Sequence, residues 1–452
     1  MERMRTRPKY SGKWMAGFAA AALLALSPHT ASAGKFKILH SFCTPPDCAD
    51  GAAPNGKLIP DSAGNLYGTA SLQGAHNDGT AFEFKRQDNG TYKFKVLYSF
   101  NVAQSPIGTM ILDTQGNLYG MGGRTAKGGI IYELSPGAGK NGKRWSFKEL
   151  YQFCPQQQNC PDGSLPTTGA LTYAGAETGA PYDGASPLYG TTSSGGANNL
   201  GVVFRLAPNG AVWEETVLYN FCSQGGAACT DGKIPLGGLV IDGSGMLYGT
   251  AAAGGTTKVN GGGGVVFALT QQGGVWSERV LYDFCSQNDC KDGSGPRGEL
   301  AMDAQGNFFG VTAGGGKPCP IFNGGCGTIF QLTPNGDAYQ ETVLYDFCKR
   351  ADCKDGADPE AGLLLQADGS LLGTTQYGGG NDIDMFGRGG GTVFKFEGSS
   401  LTVLHAFCAL QDCADGEAPL AGLITDGFGN TFGDTPEGGS LSGGTTFRVK
   451  SD

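Results

Sequence analysis

The sequence has little histidine and little charge, and it lacks common catalytic signatures. Four of its 452 residues are histidine, and 16% are Asp, Glu, Lys or Arg. It contains no Gly-x-Ser-x-Gly turn, no His-Glu-x-x-His pair and no Gly-Lys-Ser/Thr phosphate-binding loop. These absences argue against serine hydrolases of the elbow type, zinc proteases and P-loop nucleotide-binding proteins.

Glycine, in contrast, is abundant, with 79 residues where an ordinary protein has roughly 7%. Helix interiors disfavour glycine by about 1 kcal/mol per residue, so this composition excludes a mainly helical protein. Hydrophobic residues make up 39% and aromatic residues 10% of the chain. The sequence therefore predicts an all-β, turn-rich protein with a substantial core.

The first 33 residues have the pattern of a secretory signal peptide. Five basic residues precede the apolar run from Met15 to Leu26, and a small-residue site, Ala31-Ser32-Ala33, follows. A membrane anchor is the alternative, but the run is shorter than the roughly 20 apolar residues that span a bilayer. We therefore expect cleavage before Gly34, a domain over residues 34–452, and a secreted or periplasmic protein with no membrane span in the mature chain.

The mature chain is acidic. Residues 1–33 hold five of the 32 basic and one of the 41 acidic residues, so 27 basic and 40 acidic residues remain, a net charge of −13. This balance argues against nucleic acid or an anionic membrane as a partner. Solubility is the simpler explanation of the charge, and we expect a monomer.

The 14 cysteines form seven close pairs. These are Cys43 with Cys48, Cys154 with Cys160, Cys222 with Cys229, Cys285 with Cys290, Cys319 with Cys326, Cys348 with Cys353, and Cys408 with Cys413. Six pairs recur at one position of a repeat, and the repeat around Phe100 lacks both cysteines. Joint absence and an even count in an exported chain favour disulfides. Zinc is the alternative, but no histidine accompanies the pairs and each pair supplies only two ligands.

The chain contains seven copies of one unit. Each copy follows a strand that ends in phenylalanine, at Phe42, Phe100, Phe153, Phe221, Phe284, Phe347 and Phe407. A hairpin with an Asp/Asn/Gly turn then leads to a segment such as Leu66-Tyr67-Gly68, a glycine-rich loop and two further strands. Four short strands repeated seven times predict a seven-bladed β-propeller with four antiparallel strands per blade. A β-helix is the alternative, but its coils are much shorter.

The phase of the repeat predicts how the ring closes. The mature chain opens with a fourth-type strand, residues 36–42, and ends with a third-type strand, residues 444–449. Together they complete one blade, so pairing of the two ends closes the ring and leaves a single domain. The glycine after each Leu-Tyr pair is interpreted as a point of close packing between neighbouring blades.

The recurring Gly-Asn-Leu-Tyr-Gly-Thr, Gly-Gly and Gly-Thr-Val-Phe segments, followed by Leu-Tyr-x-Phe, resemble the GloVer tandem-repeat family of exported bacterial proteins. The resemblance covers essentially all of the mature chain. It implies an exported repeat protein and no particular activity. Many relatives carry a C-terminal anchor; the last residues, Phe447 to Asp452, include no hydrophobic anchor, so we do not expect attachment to the cell surface by that route.

Antiparallel strands place the cysteine loops and the glycine-rich loops on one face of the ring. We expect this cysteine-bearing face to be the functional one. Six aspartates recur there, at Asp50, Asp162, Asp231, Asp292, Asp355 and Asp415. They fit either a ring of carboxylates for Ca²⁺ or a polyhydroxy ligand, or an architectural turn in which Asp accepts backbone N–H groups. No other cofactor or metal is expected.

Residues that depart from the repeat are the better site candidates, because the fold does not require them. The catalytic candidates are His76, Arg124, Tyr377, Asp382, Asp384 and Arg388, and the ligand-binding candidates are Tyr377, Phe386 and Arg388. The extra cysteine pair around Phe322 is a further departure. Aromatic rings with a cation can bind a sugar by stacking and bidentate hydrogen bonds. A solvated, variable loop is the alternative.

Two function classes follow. The leading hypothesis is an exported protein that binds an extracellular glycan or a surface protein on the cysteine-bearing face. The alternative is a carbohydrate-active enzyme, a polysaccharide hydrolase or lyase, with its site near the central channel. A purely structural role in the cell envelope is a third interpretation.

Overall fold

Each repeat becomes one antiparallel sheet, because its β-branched and aromatic runs alternate with turns built on Asp, Asn and Gly. The computed structural model describes residues 36–123, 128–137, 144–156, 158–257, 261–336, 338–381, 387–426 and 428–450. Within these ranges the strands form seven sheets, so the seven-bladed propeller is confirmed. The predicted signal peptide lies outside the described residues.

The strands of the first half of the chain are β1 (Phe36–Ser41), β2 (Ala52–Pro54), β3 (Ile59–Pro60), β4 (Leu66–Leu72), β5 (Thr80–Arg86), β6 (Tyr92–Ser99), β7 (Pro106–Leu112), β8 (Leu118–Gly122), β9 (Ile130–Ser135), β10 (Ser146–Gln152), β11 (Ser164–Pro166), β12 (Thr172–Tyr173), β13 (Leu188–Ser194), β14 (Val202–Asn209) and β15 (Val212–Asn220). Those of the second half are β16 (Lys233–Pro235), β17 (Val240–Ile241), β18 (Leu247–Ala253), β19 (Val265–Gln272), β20 (Val275–Asp283), β21 (Ser294–Met302), β22 (Phe308–Gly314), β23 (Thr328–Asn335), β24 (Ala338–Asp346), β25 (Leu364–Leu365), β26 (Leu371–Thr375), β27 (Thr392–Glu397), β28 (Ser400–Ala406), β29 (Ile424–Thr425), β30 (Asn430–Thr435) and β31 (Thr445–Lys450). Short 3-10 helices lie at Ala176–Thr178, Gly226–Ala228, Asn288–Cys290, Ala351–Cys353 and Gln411–Cys413.

Blades 1 to 6 are β2–β6, β7–β10, β11–β15, β16–β20, β21–β24 and β25–β28, and blade 7 joins β29–β31 to β1. The innermost strand is split in blades 1, 3 and 4. In blade 7 the N-terminal strand pairs antiparallel with β31, Phe36 opposite Val449 and Ser41 opposite Thr445. This is the predicted ring closure, and it gives the outer edge of the last sheet its fourth strand.

Seven aromatic contacts join neighbouring blades. The phenylalanine at the end of each outer strand is buried and packs on an aromatic ring in the third strand of the next blade. The pairs are Phe42/Phe82, Phe100/Tyr132, Phe153/Phe204, Phe221/Phe267, Phe284/Phe330, Phe347/Phe394 and Phe407/Phe447, with ring centroids 4.9 to 5.3 Å apart. Buried aromatic pairs of this kind dominate the contact between sheets.

The glycine of each Leu-Tyr-Gly segment acts within its own blade. A Cβ at Gly68 would lie 2.6 Å from the ring of Phe82 and 2.7 Å from Leu58, and both are residues of blade 1. The interpretation of this glycine as a direct contact between blades is therefore wrong in its detail. The glycine makes room for the phenylalanine that in turn packs on the preceding blade.

The centre of the ring is narrow, because the innermost segments approach one another through glycine. A Cβ at Gly108 would lie 2.1 Å from the carbonyl oxygen of Thr168 in the next blade. A cavity of about 260 Å³ remains on the ring axis, lined by the innermost segments, among them Lys57, Glu299 and Glu360.

Candidate functional site

The cysteine loops and the glycine-rich loops lie on the same face, as expected. In six blades the glycine-rich loop donates a backbone N–H to the carbonyl oxygen of the second cysteine. Two examples are Gly316 N to Cys290 O at 2.9 Å and Gly379 N to Cys353 O at 2.9 Å. The two loops of a blade are therefore held together by the backbone.

All seven predicted cysteine pairs are disulfides. The bonds join Cys43 to Cys48, Cys154 to Cys160, Cys222 to Cys229, Cys285 to Cys290, Cys319 to Cys326, Cys348 to Cys353, and Cys408 to Cys413. Each bond closes a loop of five to seven residues in sequence separation, so it orders its own loop more than it restrains the whole chain. Seven disulfides indicate an oxidising compartment.

The sulfur atoms of Cys326, Cys348 and Cys353 lie within 4.8 Å of one another. Each of these sulfurs is bonded to another cysteine, whereas zinc binds the thiolate. The disulfide interpretation of the pairs therefore holds over the zinc alternative at this point.

The recurring aspartates of the cysteine loops are held by internal hydrogen bonds. Asp231, for example, accepts the hydroxyl of Tyr219 at 2.7 Å and the backbone N–H of Ser223 at 2.8 Å. In the outer strands of blades 7 and 6 a histidine replaces the tyrosine, with His40 Nε2 2.8 Å from Asp50 and His405 Nε2 2.9 Å from Asp415. These contacts match the architectural interpretation, in which each carboxylate orders its own loop.

The sequence-predicted site residues separate into two places. His76 is exposed on a loop of blade 1, with its Nδ1 3.3 Å from the carbonyl oxygen of Ser99. Tyr377 and Arg388 lie together in blade 6, with the guanidinium carbon 5.0 Å from the centre of the tyrosine ring. Arg124, Asp382, Asp384 and Phe386 lie outside the described residues.

A third side chain joins the pair in blade 6. The ring of Phe322, from the disulfide-bonded loop of blade 5, lies 5.4 Å from the ring of Tyr377. We call Phe322, Tyr377 and Arg388 the aromatic cluster. All three side chains are partly buried, so they are packed against the protein and still reach the surface.

The backbone fixes this cluster across two blades. Ala357 and Tyr377 exchange two hydrogen bonds, at 2.9 and 3.0 Å, and the backbone N–H of Asp358 donates to Cys326 O at 2.9 Å. The Cys319–Cys326 disulfide ties the loop that carries Phe322 to this point. The cluster is therefore carried by braced backbone, although it lies on loops.

A cleft of about 800 Å³ borders the aromatic cluster on the blade 5 side. Phe322, Asn323, Lys291, Lys317 and Asp346 are among the residues that line it. The Lys317 ammonium lies 3.8 Å from the Asp346 carboxylate, and its side chain is 56% exposed. Ligand pockets commonly measure about 300 to 1,000 Å³, so the cleft has room for a small ligand or part of a longer one.

The central channel holds charges that sequence reasoning missed. Lys57 Nζ lies 3.2 Å from Glu299 Oε2, and Arg297 Nη1 lies 2.7 Å from Glu360 Oε2. Burial raises the pKa of Glu360; Arg297 opposes this shift and the neighbouring Asp358 adds to it. A signal was present in the sequence, because the segment after the inner-strand proline is uncharged in the other blades, as in Pro235-Leu236-Gly237-Gly238.

The described residues contain no helix long and apolar enough to cross a membrane.

Solved structures similar to this chain share its fold. One is an ancestral GH74 enzyme, with 11% identity, a TM-score of 0.52, and coverage of 88% of this chain and 48% of that chain. Another is a fungal alcohol oxidase of the AA5 family in complex with copper, with 16% identity, a TM-score of 0.50, and coverage of 92% and 76%. A third is the polysaccharide lyase Uly1, with 8% identity, a TM-score of 0.49, and coverage of 89% and 91%. Identities this low show the fold alone.

A comparison with curated proteins finds no match. A family model described as the Gloeobacter/Verrucomicrobia repeat matches residues 172–386, a stretch that runs from blade 3 into blade 6. The resemblance seen in the repeated motifs is thereby confirmed: this chain carries the Gloeobacter/Verrucomicrobia repeat.

Proposed function

We propose that the protein binds an extracellular glycan on the cysteine-bearing face of blades 5 and 6. The observation that carries the proposal is the aromatic cluster: two aromatic rings and a guanidinium from two blades meet at the edge of an 800 Å³ cleft. The repeat does not require any of these three side chains, since other blades have none of them at the corresponding positions.

The chemistry of the cluster suits a sugar. An aromatic face packs on the apolar C–H face of a pyranose ring, and a guanidinium donates paired hydrogen bonds to hydroxyl or carboxylate oxygens. The disulfide-bonded loop and the paired Ala357 and Tyr377 backbones order the cluster before a ligand arrives, which lowers the entropy lost on binding.

Export agrees with this proposal. The seven disulfides need an oxidising compartment, and the first 33 residues have the pattern of a signal peptide. We therefore propose that the protein acts as a monomer outside the cytoplasm, secreted or periplasmic, where polysaccharides are accessible.

The test is affinity electrophoresis of the mature protein in gels that contain a panel of soluble polysaccharides. Tyr377→Ala should weaken retention by about tenfold, the equivalent of about 1.4 kcal/mol. Phe428→Ala is the matched control, because Phe428 is an exposed aromatic residue, 68% accessible, with the Arg86 guanidinium 4.7 Å from its ring. It lies in a hairpin turn on the opposite face. Equal retention of both variants and wild type would place the binding site elsewhere, and no retention on any glycan would reject the proposal.

A second candidate function, a carbohydrate-active enzyme, is supported by the central channel. Glu360 lines the channel, contacts Arg297 at 2.7 Å and holds its proton more tightly than an ordinary carboxyl group, because burial raises its pKa. A carboxylic acid that stays protonated near neutral pH can act as a general acid. Chromatography of the same polysaccharides after incubation would detect cleavage, and Glu360→Gln should abolish it. Retention without products on every polysaccharide would reject the enzyme.

A further inference from the structure

Two disulfides of blade 5 lie side by side. Cys326 is near the end of the glycine-rich loop of this blade, and the bonded pair Cys348 and Cys353 follows its outer strand. The three sulfur atoms lie within 4.8 Å of one another, and Cys326 is itself bonded to Cys319. Among the described residues this is the one group of three cysteine sulfurs at such distances. A thiolate formed at Cys326 would therefore have a second disulfide within reach.

The repeat explains why these sulfurs meet. The carbonyl oxygen of Cys326 accepts the backbone N–H of Asp358 at 2.9 Å. In four other blades a glycine accepts the equivalent bond, at 2.7 to 2.9 Å. A Cβ at each of these glycines would lie 2.5 to 3.0 Å from the Cβ of the first cysteine of the following loop, in the pairs Gly128/Cys154, Gly263/Cys285, Gly390/Cys408 and Gly443/Cys43.

The equivalent first cysteine in blade 5 is Cys348. The Cβ atoms of a disulfide are about 3.8 Å apart, slightly more than the separation that the repeat imposes at this position in the other blades. A side chain at the position of Cys326 is therefore directed at Cys348, and a bond between these two cysteines requires no large movement of the backbone.

The sulfurs differ in exposure. Cys319 is partly exposed and lines the 800 Å³ cleft, whereas Cys326 is 1% and Cys353 is 2% exposed. A thiol that enters the cleft therefore reaches Cys319 first. Attack on that sulfur makes Cys326 the leaving group, and its thiolate forms inside the protein beside the second disulfide.

We propose that these two disulfides form a thiol–disulfide exchange site whose substrate is a dithiol. In the first step a thiolate of the dithiol bonds to the sulfur of Cys319, the bond from Cys319 to Cys326 breaks, and Cys326 leaves as a thiolate. In the second step this thiolate bonds to the sulfur of Cys348, the bond from Cys348 to Cys353 breaks, and Cys353 leaves as a thiolate.

The dithiol completes the reaction. Its second thiolate attacks its own first sulfur in the mixed disulfide, so Cys319 leaves as a thiolate and the dithiol becomes a disulfide. The dithiol loses two electrons and two protons. The protein gains both electrons, and the protons go to the thiolates of Cys319 and Cys353.

Exchange changes which loop is closed. The bond from Cys319 to Cys326 closes the loop that carries Phe322 of the aromatic cluster. The new bond from Cys326 to Cys348 joins the glycine-rich loop to the end of the outer strand and leaves Cys319 free. The oxidised site therefore holds the Phe322 loop closed, and the exchanged site opens it. The exchange itself does not depend on the proposed glycan binding.

Two single variants test the exchange. Cys319→Ala leaves Cys326 as a free thiol beside the disulfide of Cys348 and Cys353, and the matched control Cys326→Ala leaves Cys319 as the free thiol. Both are incubated without added thiol at about pH 8, near the ordinary pKa of a thiol. Free thiols are then blocked with N-ethylmaleimide, and melting temperatures check that both variants fold.

Digestion without reduction and mass spectrometry then identify each bond. Chymotrypsin cuts after the phenylalanines that separate the first three cysteines of the site, and trypsin cuts between Cys348 and Cys353. In Cys319→Ala we expect a peptide pair that joins Cys326 to Cys348, with the maleimide on Cys353. In Cys326→Ala we expect the maleimide on Cys319 alone, so blocking of Cys353 is lost.

The wild-type protein gives a test that requires neither variant to fold. With increasing dithiothreitol as the probe dithiol, Cys319 and Cys353 should be blocked together while the peptide pair of Cys326 and Cys348 appears. Blade 3 is the internal control, because Leu200 occupies the position of Cys326 there and accepts the equivalent backbone bond. Reduction of the disulfide beside it should give two blocked cysteines and no new bond.

Three outcomes overturn the inference. If only Cys326 is blocked in Cys319→Ala, its thiolate does not attack the neighbouring disulfide. If Cys326 is found bonded to Cys353, the attacked sulfur is wrongly assigned. If dithiothreitol gives wild-type protein with Cys319 and Cys326 blocked together and the bond from Cys348 to Cys353 intact, the first disulfide is simply reduced. Each readout is a mass, so the result stands apart from any result on glycan retention.

Discussion

Two kinds of contact join the blades at one equivalent position of the outer strand. Blades 7, 1, 2 and 6 have Phe36, Phe94, Phe147 and Leu401 there, and blades 3, 4 and 5 have Glu215, Glu278 and Glu341. The equivalence is set by register, because each residue pairs with an apolar residue of the third strand, such as Phe84, Leu206 or Leu269.

In the apolar group the side chain stacks on the tyrosine or histidine of the preceding blade. Phe94 lies 3.9 Å from His40, with ring planes 6° apart, and Phe36 lies 3.5 Å from His405. Such a contact buries apolar area on both sides and stabilises the interface without burying a carboxyl group.

In the glutamate group a carboxyl group occupies the same space. Burial, together with the nearby Asp162, Asp231 and Asp292, raises the pKa of Glu215 and Glu278 to about 8 and that of Glu341 to about 7. One oxygen of each glutamate is buried without a hydrogen-bond partner among the described residues. One strand position therefore tolerates a carboxyl group, at a stability cost that depends on pH.

The largest predicted effect comes from replacing all three glutamates by leucine, the residue that blade 6 has at this position. A glutamate with a raised pKa binds its proton more tightly in the folded protein than in the unfolded chain. Its contribution to the free energy of unfolding is therefore full below about pH 4.3 and is lost as pH rises to about 8. With an allowance for solvent screening, the wild-type protein should lose on the order of 5 kcal/mol of unfolding free energy across that range.

Urea unfolding at pH 5 and pH 9 measures this loss. The triple leucine variant should show a much smaller difference between the two pH values than wild type. A matched change in the other group, Phe94→Glu, should create a new loss toward pH 9. An unchanged pH profile in the leucine variant would show that these glutamates are solvated.

A smaller effect is predicted where the ring closes. In blades 1, 3, 4 and 6 a threonine of the second strand donates its hydroxyl to an inner-segment carbonyl oxygen of the next blade. These bonds are Thr69 to Gly108, Thr191 to Gly237, Thr250 to Gly298 and Thr374 to Ala421, at 3.1 to 3.3 Å. Blade 7 has Asp434 there, fully buried, and burial raises its pKa to about 8.

Asp434→Thr should therefore stabilise the protein at pH 9 by on the order of 3 kcal/mol, because it removes a buried carboxylate, and should change little at pH 4, where Asp434 is protonated in the fold. Melting temperatures at the two pH values test this. Asp434→Asn separates the effect of charge from that of shape. The Thr446 hydroxyl donates a hydrogen bond to Asp434. A destabilised threonine variant at pH 9 would show that this bond offsets the cost of burying the carboxylate.

The sequence could predict features that are formed within one repeat, but not contacts that form between blades. The blades, the disulfides and the aspartate turns follow from patterns within one repeat, such as Asp61 accepting the N–H groups of Ala63 and Asn65. The phase of the repeat even predicted the pairing of the two chain ends. The pairing of Tyr377 with Arg388 was partly foreseen, because both depart from the repeat.

The contacts that the sequence did not predict join residues that are far apart along the chain or lie in different blades. Lys57 and Glu299 are 242 residues apart and meet only because the ring closes. Phe322 reaches Tyr377 from another blade. Asp434 and the three glutamates occupy ordinary strand positions, and their burial follows from the packing of adjacent sheets, which no single repeat contains.

The smallest predicted effect concerns the partner of these contacts, the tyrosine or histidine of the preceding blade. His40 stacks on Phe94 and lies 2.8 Å from Asp50. Burial lowers the pKa of His40, and Asp50 opposes this shift. The folded protein therefore favours neutral His40, so its contribution is full above about pH 6.5 and is lost as pH falls below that value.

His40→Tyr restores the residue of five other blades, whose hydroxyl can bond the aspartate as Tyr151 does with Asp162 at 2.8 Å. Between pH 7 and pH 5 the variant should lose less unfolding free energy than wild type. This difference should be smaller than the effects predicted for the glutamates and for Asp434, because Asp50 opposes the lowering of the His40 pKa by burial. Urea midpoints at the two pH values measure the difference, with exposed His76→Gln as the control. If His40→Tyr and His76→Gln change the pH dependence of the urea midpoint equally, the buried contact between His40 and Asp50 makes no contribution of its own to that dependence. Apolar stacking would then be the only difference between this interface and the interfaces that contain glutamate.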